Sequence, residues 1–179
     1  MPLLKIVPVD QAQGEVKANY EMFTKTIGTV PQPFQMWSAS PALQSINKQI
    51  IGYYMKHPTL KPALMALIRM LVSEELGFDY CISFNAQILK TVGVISDDQL
   101  GAILADPTTA PLDEKDKAML LFVLKACKSP EAVEQADVDG LRALGWADSD
   151  ILDAAAQGAS MIQGGVLFRA FKMAEGQSC

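Results

Sequence analysis

The chain has 179 residues, 50% hydrophobic and 20% charged, with a formal net charge of −5. That balance suits one globular domain, or two small lobes sharing a core, and excludes a largely disordered chain. With a sequence pI of about 4.8 and scattered Lys and Arg, it also argues against general nucleic-acid binding.

The opening MPLLKIVPVDQAQGEV does not read as a secretory signal, because Pro2, Lys5, Pro8 and Asp10 interrupt its short apolar stretch. No apolar run nears the roughly 18 residues of a membrane span, and a cytoplasmic location is the default expectation. Val16, Tyr20, Phe23 and Ile27 stand at helical spacing and predict a helix over 15–27, ended by Gly28. A turn at 30–33 and a short helix at 33–37 follow. Ser40 before Pro41 predicts the start of a helix that runs to Tyr54 or Met55, where His57-Pro58 breaks it.

Thr59 is the expected cap of the next helix, which carries Leu60, Leu64, Leu67, Ile68 and Leu71 and closes at Gly77. Asp79 is expected to cap a helix through Ile82, Ala86, Leu89 and Val92, closed by Gly93. Ser96 and Gln99 match a capping box. The DPTTAPL stretch at 106–112 reads as a loop. Asp113 caps a strong helix over 114–128, Ser129-Pro130 starts a short one, and another is predicted from Asp137 to Leu144, before Gly145. Asp148 opens a long final helix to about Met173. No alternation of period two persists. The expected fold is therefore all-α, a compact bundle of about eight to ten helices.

Gly158, Gly164 and Gly165 sit inside that final helix. Each costs roughly 1 kcal/mol against Ala, which close approach of another helix, within or between protomers, would offset.

Three cysteines, Cys81, Cys127 and Cys179, leave one over in any intramolecular pairing and favour reduced thiols. The one histidine, His57, leaves no metal-ligand spacing, and no phosphate loop or dinucleotide fingerprint is visible. No cofactor is expected. Cys81 stands at a predicted helix start, where backbone N–H groups and the helix dipole favour a thiolate. Asp79 and the apolar Phe78, Ile82 and Phe84 act in the opposite direction, so the net shift does not follow from sequence. The plain alternative is a small buried hydrophobe.

The run ALIRMLVSEELGFDYCISFN, Ala66 to Asn85, resembles the core of the AhpD-like superfamily, which includes the alkylhydroperoxidase and carboxymuconolactone decarboxylase families. Val7-Pro8, the 28–34 stretch and VDGLRALGWADSDI at 138–151 resemble its peroxidase-related members. The resemblance implies a single AhpD-like domain over 1–179, with an N-terminal helical lobe to about 58, a motif-bearing core at about 59–105 and C-terminal helices at about 113–175. Peroxidase members use a Glu, a Cys-x-x-Cys pair and a His four residues beyond. The pair attacks and resolves, while Glu and His relay protons. Carried over, the second cysteine falls on Cys81, the first on Phe78, the His on Asn85 and the Glu on Ala66. Only the thiol is retained, and Asn85 can hydrogen-bond but cannot act as a base.

The resemblance thus implies a thiol-dependent peroxidase with Cys81 as its nucleophile, a small-molecule or peroxide substrate and an external thiol reductant. It also implies a homo-oligomer. Tyr80 flanks the thiol, and Glu74 and His57 are candidate accessory groups. Surface roles are the simpler reading for Glu74 and His57, and aromatic packing for Tyr80. Two other functions compete: a lactone-decarboxylase-like lyase, and a non-catalytic small-ligand-binding or structural homologue.

Overall fold

The computed structural model describes residues 2–173. Among these it contains nine α-helices and no strand, the all-α architecture expected. They are α1 (Gly14–Ile27), α2 (Gln32–Met36), α3 (Pro41–Met55), α4 (Pro62–Glu75) and α5 (Asp79–Thr91), followed by α6 (Asp97–Ala105), α7 (Glu114–Lys128), α8 (Gln135–Ala143) and α9 (Asp148–Ala170). No helix among the described residues is long and apolar enough to cross a membrane.

The chain divides into two compact units. The first takes in Met1–His57 and Val166–Cys179, so far as those residues are described; the second is Pro58–Gly165. In the first unit, α1 packs on α3. Its core gathers Val16, Tyr20, Val30 and Phe34. Polar groups inside it are matched rather than orphaned. Asn19 Nδ2 donates to Gln44 Oε1 at 3.3 Å and to Ser45 Oγ at 2.8 Å. Tyr20 donates its hydroxyl to Val7 O at 2.8 Å, and Ser38 Oγ accepts from Val7 N at the same distance, which fixes the N-terminal segment.

The second unit is organised around α4, whose run from Leu64 to Ser73 is buried at every position but Arg69. A helix buried on nearly all sides must be covered by several neighbours. Here α5 and α7 supply most of that cover. Asp116 on α7 is buried, and its carboxylate is held by Lys61 Nζ at 2.8 Å, so the charge is paired.

Several helix boundaries differ from the sequence expectation. Thr59 does not cap α4: the N-cap is Lys61, and Thr59 Oγ1 donates to Asp150 Oδ1 at 2.6 Å. Pro62 therefore takes the first helical position, where its missing N–H costs nothing. α8 begins at Gln135, two residues before Asp137. Asp137 instead accepts from Glu134 N at 2.8 Å, as the third helical residue of that start. The capping box at Ser96 and Gln99 and the Asp113 cap are present as expected. The 106–112 loop contains one 3-10 turn, Pro107–Thr109.

The glycines of α9 behave differently from one another. A Cβ on Gly158 would lie 2.5 Å from Val123 Cγ1 and 2.8 Å from Cys127 Sγ, so α9 approaches α7 where only Gly fits. Gly165 would meet Phe78 and Leu76 at ordinary contact distance, and Gly164 faces open space. The expected close approach is thus a packing feature of Gly158.

Candidate functional site

The geometry around Cys81 is set by the connection between α4 and α5. Gly77 N donates to Glu74 O and Phe78 N to Ser73 O, both at 2.9 Å. These are the paired bonds of a Schellman ending, with Gly77 in the left-handed region at φ 59°. A side chain there would be strained. Phe78, not Asp79, then serves as the N-cap of α5. Asp79 is the first helical residue because the preceding turn already fixes Phe78 in a non-helical conformation. Cys81 becomes the third helical residue, and its own N–H is taken up by Phe78 O at 3.0 Å.

This hairpin faces two stripes across one seam. Ala66, Arg69 and Ser73 recur on α4 at helical spacing, and Cys81 and Asn85 lie one turn apart on α5. Arg69 Nε donates to Asn85 Oδ1 at 2.8 Å, and Asn85 Nδ2 donates to Cys81 O at 2.8 Å. Arg69 keeps part of its surface accessible, while Cys81, Ser73 and Asn85 are buried.

The electrostatics of the cluster are unusual for a thiol site. Burial pushes the Cys81 thiol up to about 11, while the Ser73 hydroxyl and the Arg69 guanidinium pull in the opposite direction without prevailing. Desolvation therefore decides the sign that sequence left open. Ser73 Oγ lies near enough to the sulfur to act on it, but proximity is all the geometry provides. It is sealed from solvent with no hydrogen-bond partner among the described residues. Burial likewise lowers Arg69 to about 10, against the pull of the Cys81 charge; no carboxylate among the described residues pairs with it.

The other candidate residues take varied positions. Ala66 is buried and Phe78 fills core space at the hairpin. Tyr80 is half-buried and stacks on Phe84, with ring centroids 6.0 Å apart. Glu74 is exposed at the end of α4, and the neighbouring Glu75 pairs with Lys128 at 2.7 Å. His57 belongs to the first unit, where its ring packs edge-on against Tyr53 at 5.4 Å. Cys127 lines a small, mostly apolar recess with Val72, Leu76, Leu124 and Ile162, and burial raises its thiol. Cys179 lies outside the described residues. No group of three His, Cys, Asp or Glu side chains among the described residues could hold a metal ion.

Arg69 and Ser73 escaped the sequence reading as site residues. The signal was present for Arg69: it is the one charge between Pro62 and Ser73. A lone cation inside an apolar helical run needs either a route to solvent or a partner.

The fold of the chain recurs in solved structures. An uncharacterized peroxidase-related protein from Silicibacter superposes with a TM-score of 0.79 at 23% identity, over 96% of this chain and 90% of that one. The chain has the AhpD-like fold. A second match is an alkylhydroperoxidase AhpD core, an uncharacterized peroxidase-related protein from Ralstonia eutropha, with a TM-score of 0.77 at 21% identity and the same coverage. A third is a cysteine-to-alanine variant of the debrominase Bmp8 in complex with 2,3,4-tribromopyrrole, with a TM-score of 0.77 at 17% identity, again over 96% and 90%. No family model and no curated relative matches the chain. Arg69, one turn along α4 from Ala66, reaches across to Asn85 on α5.

Proposed function

We propose that this AhpD-like protein is a one-cysteine, thiol-dependent peroxidase with Cys81 as the attacking atom. The observation that carries the reading is the cluster itself. A thiol on α5, raised by burial, stands beside a guanidinium and an unpartnered buried hydroxyl on α4 that both act to favour its thiolate.

In the step, the Cys81 thiolate attacks the terminal oxygen of a hydroperoxide. An S–O bond forms, the O–O bond breaks, and the leaving alkoxide takes a proton to become an alcohol. Sulfur is oxidised by two electrons to a sulfenic acid, and the peroxide is reduced. Two equivalents of an external thiol then return the sulfenic acid to the thiol, giving a disulfide and water. A cytoplasmic, reducing compartment would supply such thiols. Phe78 stands three residues before Cys81, where the resemblance puts a partner cysteine, and this reading takes the reductant to be external. The lactone-decarboxylase alternative is less well supported, because that chemistry needs an acid–base pair, and Arg, Asn, Ser and a high-pKa thiol offer no group titrating near neutrality.

The test is peroxide consumption with dithiothreitol, comparing the wild type with Cys81→Ser, together with sulfenic-acid trapping on Cys81 by mass spectrometry. The expected result is trapping on Cys81 and loss of turnover in the variant. Equal rates in the two proteins would remove Cys81 as the nucleophile and favour a non-catalytic role.

A further inference from the structure

The Arg69 guanidinium is committed to the protein through one atom. Its Nε donates to Asn85, and neither Nη group has a hydrogen-bond partner among the described residues. Neither is sealed in, because among the described residues the one buried side-chain polar atom without a partner is Ser73 Oγ. The Nη pair therefore keeps some contact with solvent on a side chain that burial otherwise desolvates. A cation so placed, with no carboxylate facing it among the described residues, attracts an anion more strongly than a cation fully in water does. The planar pair of Nη donors matches a carboxylate bidentately. Ser73 Oγ, a buried and unused donor, is the second polar group beside the sulfur.

We propose that the cluster of Arg69, Ser73 and Cys81 binds a carboxylate, and that the hydroperoxide reduced at Cys81 carries one. The substrate assignment rests on the peroxidase reading; the carboxylate site does not. The guanidinium holds the carboxylate, and the peroxide end reaches the neighbouring sulfur. Where the AhpD-like pattern moves protons with Glu and His, this chain has a cation that cannot accept one. Its role is recognition and charge stabilisation. A carboxylate without a peroxide occupies the same cation, so it acts as a competitive inhibitor.

The experiment titrates the protein with acetate, and separately with acetamide, at constant ionic strength. It follows the Cys81 backbone amide and the Asn85 side-chain amide by NMR. Saturable shifts with acetate but not acetamide are expected. Arg69→Gln should weaken acetate by about tenfold or more, since it removes a charge-assisted bidentate pair. Asn85→Asp should act in the same direction by placing a carboxylate on Arg69, and it decides the matter if Arg69→Gln does not fold. Absence of saturable shifts, equal response to acetamide, or unchanged affinity in the folded variant would overturn the site. In the kinetic arm, a carboxylate-bearing hydroperoxide should exceed its amide analogue in kcat/KM, with the preference lost in Arg69→Gln. If acetate binds but Cys81→Ser consumes peroxide as fast as wild type, the peroxidase reading fails and the carboxylate site stands.

Discussion

Arg69 on α4 donates its Nε–H to Asn85 Oδ1 on α5 at 2.8 Å, across the seam between the two helices. Neither partner can act as a base near neutral pH. The bond does something else. It holds Asn85 so that its amide caps Cys81 O, and it holds the guanidinium close enough to lower the energy of a Cys81 thiolate. What stands beside the thiol is a fixed positive charge.

The first prediction follows from the thiol's elevated pKa. At pH 8 a group titrating at about 11 is ionised in about one molecule in a thousand. Alkylation of Cys81 should therefore rise about tenfold per pH unit and level off only near pH 11. Arg69→Gln removes a group that lowers this pKa, so alkylation at pH 8 should slow several-fold further. Mass spectrometry of each cysteine against pH measures both. A plateau already reached between pH 7 and 8 would show that burial does not govern this thiol.

Ser73→Ala separates stability from reactivity. The hydroxyl is fully buried and unpartnered, so its desolvation is uncompensated in the folded protein. Removing it should leave stability unchanged or raise it by up to about 1 kcal/mol in urea unfolding. The same change removes a contact that favours the thiolate, so Cys81 alkylation should slow. A loss of stability with unchanged alkylation would place Ser73 in packing alone.

The native state also keeps the Cys81 proton to higher pH than an unfolded chain does. Between about 9 and about 11 the unfolded thiol ionises while the folded one does not. The unfolded state then binds fewer protons, so stability falls as pH rises through that window. The loss attributable to Cys81 is on the order of 2–3 kcal/mol. Urea unfolding at pH 8 and pH 11 should show a larger drop for the wild type than for Cys81→Ala. Parallel drops would assign the alkaline loss to other groups.

Most of the helical plan could be read from the sequence, because capping pairs and glycine stops are local. Ser96 with Gln99, Asp113, Gly28 and Gly77 all act within a few residues of chain. The site was only half legible. Cys81, Ala66, Phe78 and Asn85 could be singled out as candidates by a resemblance, but their surroundings depend on how α4 registers against α5. That register is set by the paired bonds through Gly77 and Phe78, which also moved the α5 cap from Asp79 to Phe78. Arg69 was visible as a lone charge in an apolar run, yet its partner lies sixteen residues away on another helix. Only the folded hairpin supplies that partner.

The glycines of α9 give the last prediction. The sequence treats Gly158 and Gly164 alike, as interruptions in a helix. Gly158→Ala would drive a methyl to 2.5 Å from Val123 Cγ1 and 2.8 Å from Cys127 Sγ, in a part of α7 that is itself packed. Val123 is stiff at χ1 and cannot swing aside cheaply, so the variant should lose about 1–3 kcal/mol. Gly164→Ala meets nothing within 4 Å and should gain up to about 1 kcal/mol from helix propensity. Adding Val123→Ala to Gly158→Ala should recover part of the loss, because the two sites share one contact. Urea denaturation of the three variants measures all of this. Equal effects of Gly158→Ala and Gly164→Ala would mean that α9 does not approach α7 as closely as the structure places it.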